Sequence, residues 1–317
     1  MSTVFFVMRQ ALTYSIPLLI VALGGMFSER SGVVNIALEG IMVFGAFTSI
    51  LFINSVQDTM SGQLLLLLAL LIAGLSGILI SLLHAYASIN MKANQVISGT
   101  AINMLTPAVA IYVARMLQNV QQINFNNTFR IPKVSVLGDI PGLGDVLFKD
   151  AYITTYLGIL ILIVSTIVLY RTRFGLRLRA CGEHPHAADS VGINVYKIRY
   201  AGVMISGFLA GIGGLIFVIP TSTNFNATVA GYGFLALAVL IFGQWKPMRI
   251  LYASLFFGLM KTIASTYSSI PFLLNLGIPS NFFKMVPFVA TLIVLAFTSK
   301  KSQGPKAAGI PYDKSLR

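Results

Sequence analysis

Long apolar stretches separated by short polar segments run through almost the whole chain. Eight of these stretches are clear, and a ninth, at 230–244, is shorter and weaker. The clear stretches cover residues 9–28, 36–54, 63–85, 95–117, 151–170, 199–220, 250–270 and 283–299. A helix that crosses a bilayer needs about 20 mostly apolar residues. The pattern therefore predicts an all-α, polytopic membrane protein with about eight or nine transmembrane helices.

Helix is the only membrane-spanning structure that fits these stretches. The stretches 63–85 and 151–170 contain no charged residue, whereas the strands of a membrane barrel alternate polar and apolar positions. Gly32 and Gly40 bracket Asn35, which predicts a broken helix or a turn followed by a helix near 30–45, and the short stretch 230–244 could be a re-entrant segment. A re-entrant piece in either region would reduce the count to eight and could reverse the side of the N-terminus.

Composition supports a lipid environment and argues against a soluble protein that binds nucleic acid. The chain is 56% hydrophobic with a mean hydropathy of +0.83, and only 10% of its residues are charged. An average soluble domain carries about 25% charged residues. The net charge of +13 would indicate nucleic acid in a soluble protein. In this chain it fits the excess of basic residues in cytoplasmic loops beside anionic lipid.

The basic residues are concentrated in two segments that are predicted to face the same side. Six lie between residues 171 and 199, and five lie in the tail 300–317. The loop 118–150 balances three basic residues with three acidic ones. Because cytoplasmic loops carry the lysine and arginine excess, we expect the loop 171–198 and the C-terminal tail in the cytoplasm. The loop 118–150 then forms an outer cap of short irregular elements.

Three clusters of polar residues interrupt or flank the apolar stretches, near residues 35–39, 94–103 and 224–225. A carboxylate in hydrocarbon is costly, so Glu39 should face the bundle interior, a cavity or a helix break. Such groups either form structural hydrogen bonds between helices or contact a polar solute, and Glu39 could also relay protons. The candidates for a solute path are Asn35, Glu39, Asn94, Ser98, Asn103, Asn224 and Phe225.

The basic cytoplasmic loop contains a short helix pattern. Pro185 suits a first helical turn, and Gly192 suits the position after the last. Ala187, Ala188 and Val191 fall on one predicted face, which fits docking into a groove on a partner protein. An ordinary amphipathic loop on the lipid headgroups is the alternative.

The two histidines and the cysteine of the same loop are not expected to support metal or redox chemistry. His184 and His186 do not share a helix face, and no third ligand is nearby, so we expect two solvated histidines and no metal site. Cys181 is the single cysteine and is expected to be a small structural residue.

Motifs for catalysis do not occur in the sequence. It contains no G-x-x-x-x-G-K-[ST] phosphate-binding loop, no H-E-x-x-H and no nucleophile elbow. We therefore expect a transport subunit that is not an enzyme and holds no cofactor. If transport is driven by ATP, a separate partner subunit must bind it.

Four segments carry a resemblance to a known family. They are SERSGVVNIALEGIM at 28–42, ISGTAINML at 97–105, FGLRLRACGEHPHAADSVGIN at 174–194 and GFLALAVLIFG at 233–243. In this order they resemble bacterial ABC importer permeases of the branched-chain amino acid and simple-sugar superfamily. The first segment is most similar to the nucleoside-importer branch, in which the shorter of two permeases has about this length.

The resemblance implies a single permease domain over 1–317 in the bacterial plasma membrane. It implies a second, homologous permease, an ABC ATPase and an extracytoplasmic substrate-binding lipoprotein as partners. It also identifies 174–194 as the coupling loop that contacts the ATPase. The coupling candidates are Arg179, Glu183, His184, Pro185, Ala187, Ala188 and Gly192.

Several alternatives remain open at this stage. Within the superfamily, the solute could be a simple sugar or a branched-chain amino acid. A motor-independent carrier could use Glu39 for protons, and a membrane enzyme or scaffold is a further class. Nucleoside recognition would suit an amide with an aromatic ring, such as Asn103 with Phe225 or Phe234.

Overall fold

The computed structural model describes residues 2–135, 138, 140–142, 144–267, 279–298 and 304–315. These residues are mostly helical. The helices are α1 (Ser2–Arg30), α2 (Leu38–Val56), α3 (Gly62–Ala85), α4 (Gln95–Gln118), α5 (Ile153–Arg171), α6 (Arg173–Glu183), α7 (Pro185–Ser190), α8 (Val195–Thr221), α9 (Tyr232–Phe242), α10 (Pro247–Thr266) and α11 (Ser280–Thr298). A π-helical turn, Tyr86–Asn90, extends α3. The strands are β1 (Ile123–Asn124), β2 (Arg130–Lys133), β3 (Lys149–Tyr152) and β4 (Asn224–Phe225).

The predicted all-α membrane fold is confirmed. Each of the nine apolar stretches coincides with one helix, and six described helices (α1 to α5 and α8) are long and apolar enough to cross a membrane. The weaker stretch, 230–244, forms α9, whose 11 residues are too few to cross by themselves. The predicted stretch 250–270 corresponds to α10, and its last three residues lie outside the described part.

Helix α8 lies at the centre of the bundle, against α1, α2 and α3. Its glycines allow this position, because a β-carbon on Gly211 would overlap the carbonyl oxygen of Ala73 in α3. Gly77 of α3 lies equally close to the carbonyl oxygen of Gly207. In lipid, where water does not drive helices together, such close backbone approach supplies the packing energy.

Two helices start inside the bundle after non-helical segments. Helix α1 ends at Arg30, and residues 31–37 run without regular structure before α2 begins at Leu38. Gly32 has φ +98° there, a conformation that side chains with a β-carbon rarely adopt. Helix α9 likewise begins at Tyr232 after the non-helical residues 226–231. The break predicted near Gly32 is therefore present, and α9 starts after a second non-helical segment.

The loops collect at the two ends of the bundle. At one end, Arg9 of α1 forms a 2.7 Å ion pair with Asp150, and β1 pairs with β4 in an antiparallel ribbon. At the other end, Arg30 faces Glu183 of the basic loop, and Lys92 pairs with Asp313 of the tail. The basic loop and the tail 304–315 therefore share one face, which we call the inner face, opposite the loop 118–150.

Candidate functional site

A carboxylate joins the starts of the two internal helices. Glu39 lies in the first turn of α2. Its Oε1 accepts a hydrogen bond from the backbone N–H of Gly231 at 2.9 Å, and its Oε2 accepts one from Gly233 at 2.6 Å. The first N–H groups of a helix have no partner within it and carry partial positive charge. Glu39 therefore neutralises the start of α9 and ties it to α2.

Glycine makes this close contact possible. A β-carbon on Gly233 would overlap the backbone nitrogen and Cα of Glu39, so any larger residue would push α9 away from α2. Gly231 has φ +78°, which suits glycine best. The two glycines therefore bring the backbone of α9 within hydrogen-bond distance of the carboxylate.

Two asparagine amides complete the start of α2. Asn103 of α4 accepts from the N–H of Gly40 at 2.7 Å and donates to the carbonyl of Ile36 at 2.9 Å. Asn35 is 1% exposed and donates to the hydroxyl of Ser206 in α8 at 2.9 Å. Buried backbone groups freed by a helix break must find partners. We call Asn35, Glu39, Asn103, Gly231 and Gly233 the polar junction.

A second set of contacts supports the non-helical segment nearer the inner face. The ring of His84 in α3 forms hydrogen bonds through Nδ1 to the hydroxyl of Ser98 at 3.1 Å and through Nε2 to the carbonyl of Val34 at 3.0 Å. Asn94 caps α4 by accepting from two backbone N–H groups. The sequence reasoning missed His84, because its partner Val34 lies 50 residues away.

Asn224 and Phe225 lie apart from the polar junction, in the outer β1–β4 ribbon. Their partners are Asn124 and Ile123 of the loop 118–150, and Phe225 is 2% exposed. The structure thus brings Asn35, Glu39 and Asn103 together but not these two. A role for any of the seven residues in solute passage stays a prediction.

A cavity of about 260 Å³ opens beside the polar junction. One face of α9 forms a wall of it, and α10 and α11 supply other walls. Its lining residues are Ala230, Gly231, Tyr232, Phe234, Leu235, Ala238, Lys261, Pro287 and Thr291. The sequence analysis overlooked Lys261, although a lone lysine in the apolar part of α10 was a visible signal.

The predicted short helix is present in the basic loop. Helix α7 covers Pro185–Ser190, its start is capped by His184 Nδ1, which accepts from the N–H of Ala187 at 3.2 Å, and Gly192 follows its end with φ +81°. The prediction of one apolar docking face is wrong in part. Ala188 is 3% exposed and packs on the bundle, whereas Val191 is 75% exposed and Ala187 is also exposed.

The C-terminal end of α6 packs directly on the end of α1. Glu183 lies 3.6 Å from the guanidinium of Arg30, and a β-carbon on Gly182 would overlap the carbonyl oxygen of Arg30. The guanidinium of Arg179 lies 5.3 Å from the ring centroid of Tyr170. Cys181 is fully buried, and burial raises the pKa of its thiol to about 11, which fits the structural role expected for it.

The tail 304–315 packs against the end of α6, α7 and the start of α8. The N–H of Ala307 donates to the carbonyl of Gly182 at 2.8 Å, and Arg199 donates to the carbonyl of Ile310 at 3.0 Å. Tyr312 is 3% exposed, and its ring centroid lies 5.1 Å from that of His186. His186 was predicted to be solvated. It is instead partly covered, because the tail packs on it.

A tryptophan connects the end of α1 to the segment after α9. Trp245 Nε1 donates to the carboxylate of Glu29 at 2.5 Å, and its carbonyl accepts from Arg30 at 3.2 Å. Arg30 therefore contacts both Glu183 of α6 and the segment after α9. Direct contacts thus join α6 to the end of α1 and, through Arg30, to the segment that follows α9.

These features define a multi-pass membrane protein in which two helices start inside the bundle and α6 and α7 pack on its inner face. The family model for the permease component of branched-chain amino acid transport systems matches residues 7–295, and the chain belongs to this family. No solved structure matches the chain.

Two curated relatives align over almost their full length. The chain is 42% identical to the nucleoside ABC transporter permease protein NupC of Lactococcus lactis, covering 99% of this chain and 98% of that protein. It is 44% identical to the guanosine ABC transporter permease protein NupQ of Bacillus subtilis, covering 96% of each. The nucleoside permease NupB of L. lactis is more distant, at 24% identity over 92% of this chain and 81% of NupB.

Proposed function

We propose that this chain is a permease subunit of an ATP-driven importer of nucleosides. The observation that carries the proposal is the identity of 42% and 44%, over nearly the whole chain, with permeases named for nucleosides and for guanosine. The identity extends over all the helices, so the similarity to these two permeases goes beyond the fold that the family shares. The alternatives of a simple sugar or a branched-chain amino acid as solute become outcomes of the test below.

The proposed importer contains a second, different permease. L. lactis and B. subtilis each have two permeases that this chain matches, one at 42% or 44% identity and one at 24%. The pairing supports a heterodimer in which this chain takes the place of NupC or NupQ. An ABC ATPase on one side and a substrate-binding lipoprotein on the other complete the proposed complex.

The inner face is proposed to be cytoplasmic, in a bacterial plasma membrane. The basic loop 171–198 and the tail lie together on this face, and the charge rule for cytoplasmic loops supports the orientation. The outer loop 118–150 then meets the binding lipoprotein. The whole chain acts as one transmembrane permease domain.

The ATPase is proposed to grip α7 through its exposed side. Ala187 and Val191 are exposed one helical turn apart, next to the capping residue His184. Movement of α7 passes through Gly182 and Arg30 to the end of α1. From Arg30 the non-helical residues 31–37 lead to the start of α2, and Trp245 leads to the segment after α9. This route links ATP hydrolysis to the helices around the cavity.

The polar junction is proposed to shape the solute path by positioning helices. Both ends of the Asn103 amide and both oxygens of Glu39 already bind backbone groups. These side chains therefore have little free capacity for solute. Asn94 and Ser98 have the same positioning role nearer the cytoplasm, and Asn224 and Phe225 shape the outer end.

Uptake by the reconstituted complex tests the proposal. The two permeases, the ATPase and the lipoprotein would be placed in proteoliposomes with radiolabelled guanosine, ribose or leucine. We expect guanosine accumulation that needs ATP and stops with a hydrolysis-deficient ATPase. Accumulation of ribose or leucine alone would contradict the nucleoside assignment. Uptake that persists without ATP and follows a proton gradient would contradict the importer mechanism.

A further inference from the structure

A lysine inside the apolar bundle faces the cavity beside the polar junction. Lys261 lies 14 residues beyond the start of α10, about 20 Å along the helix. Its ammonium group lies 5.7 Å from the ring centroid of Tyr232. In the described part of the chain, no carboxylate lies within salt-bridge distance of it. A charged side chain at the centre of a membrane helix costs about 3 kcal/mol, so a lysine without an acidic partner in the apolar part of α10 points to a function.

Two simpler explanations for the lysine do not fit its surroundings. A lysine that only reaches for headgroups extends its ammonium toward the membrane surface, whereas Lys261 turns toward the ring of Tyr232 and lines the cavity. A structural counter-ion would need a free carboxylate. Glu39, the carboxylate of the polar junction, is already bound to the N–H groups of Gly231 and Gly233.

The cavity has the features of a site for a small, flat, neutral solute. Its volume of about 260 Å³ is just below the lower end of ligand pockets, about 300 Å³. Most of its wall is apolar, with Phe234 50% exposed and free to stack against a ring. The ammonium group of Lys261 lies over the ring of Tyr232. An ammonium group only donates hydrogen bonds, so the solute must present an acceptor to it.

We propose that this cavity binds the nucleobase during passage, with Lys261 donating to a carbonyl oxygen of the base and Phe234 stacking on its plane. The inference rests on the proposed nucleoside function and names the site that selects the base. Bases with a carbonyl group, such as hypoxanthine, guanine and uracil, gain the hydrogen bond. A base without a carbonyl group lacks this hydrogen bond.

The test compares inosine with purine riboside, which lacks the oxygen at C6. In the reconstituted complex, Lys261→Met should lower inosine uptake at low concentration about tenfold or more, because a hydrogen bond to a charged donor is lost. Uptake of purine riboside should change less than about twofold. Phe234→Leu should lower uptake of both, and Phe234→Tyr should restore it. Lys246→Met, at an exposed position after α9, is the matched control.

The outcomes separate this inference from the proposed function. Failure of the unaltered complex to import any nucleoside would overturn the proposed function. Normal import by the unaltered complex, with equal losses of inosine and purine riboside or no loss in Lys261→Met, would overturn the base-binding role alone. Should Lys261→Met fail to assemble with its partners, Lys261→Gln gives the same comparison, since an uncharged amide donates a weaker hydrogen bond.

Discussion

Replacing Glu39 by glutamine tests whether its carboxylate holds α9 in place. Both oxygens now accept from backbone N–H groups, at 2.9 Å from Gly231 and 2.6 Å from Gly233. A glutamine has one carbonyl oxygen, so one N–H loses its acceptor and faces an NH₂ group instead. Loss of one hydrogen bond to a charged group costs about 1.5–3 kcal/mol, and loss of the charge at a helix start costs about 0.5–1 kcal/mol.

The expected destabilisation of Glu39→Gln is therefore about 2–4 kcal/mol. At about 2 °C per kcal/mol for a chain of this size, the unfolding midpoint of the purified protein in detergent should fall by about 4–8 °C. Nucleoside uptake should fall with it, because α9 forms one wall of the cavity. Intrinsic fluorescence or a thiol-independent dye assay would follow the transition.

The matched control applies the same chemical change to an exposed carboxylate. Glu183 pairs with Arg30 at 3.6 Å with 47% of its side chain exposed, so Glu183→Gln should cost less than about 1 kcal/mol. Equal midpoints for Glu39→Gln and the unaltered protein would refute the holding role of the carboxylate. A normal midpoint with abolished uptake would point to an essential charge in transport.

Three further predictions concern the inner face. Ala187→Glu should uncouple ATP hydrolysis from uptake in proteoliposomes with little loss of stability, whereas Ala188→Leu should lower the stability itself by about 1–3 kcal/mol through overpacking. Tyr312→Ala should release the tail, measured as faster hydrogen exchange over 304–315, because a buried ring is removed. Hydrogen bonds from Lys92 and Ser315 hold the pKa of the Asp313 carboxyl at about 2, so the exchange rate of the tail, corrected for intrinsic chemistry, should be the same at pH 5 and pH 8.

The sign of the pH effect follows from the lowered pKa of Asp313. Its stabilising contribution is complete above the ordinary value of 3.8 and disappears only as the pH falls through about 2. Loosening of the tail between pH 8 and pH 5 would contradict this.

For Tyr312, the Phe variant should keep normal exchange. Coupled transport by Ala187→Glu would remove the docking role of the exposed side of α7.

Helix positions were predictable because they depend on local runs of apolar residues. The stretch 95–117 became Gln95–Gln118, and 36–54 became Leu38–Val56. The helix break near Gly32 was also visible, because a glycine and an asparagine interrupt the apolar pattern there. Both signals lie within about 20 residues of chain, so distant contacts change them little.

The contacts of the site were less predictable, because they join residues far apart in sequence. The helical pattern placed Ala188 on an apolar face with Ala187, but it contained no information on which side the bundle covers. That side is set by Val195 and Tyr312, which pack with Ala188. The partner of Glu39 lies about 190 residues away, and the environment of Lys261 depends on α9. The sequence shows that these residues are polar, but it does not show which residues they contact.

Cysteine labelling of the inner face needs a different reporter from the native residue. The thiol of Cys181 is buried and its pKa is raised to about 11 by burial, so thiol reagents react slowly with it from either side. A cysteine at Val191, on a Cys181→Ser background, would be exposed. Labelling of that position from outside the cell would contradict the proposed orientation.

The packing of the tail has a consequence for biogenesis. Residues 304–315 are synthesised after every helix described above, yet they cover Ala188 and His186 and bind Gly182. The inner surface therefore reaches its final form only once the ribosome has passed α11. A product of premature termination after that helix would contain every described membrane helix but would lack the complete inner surface.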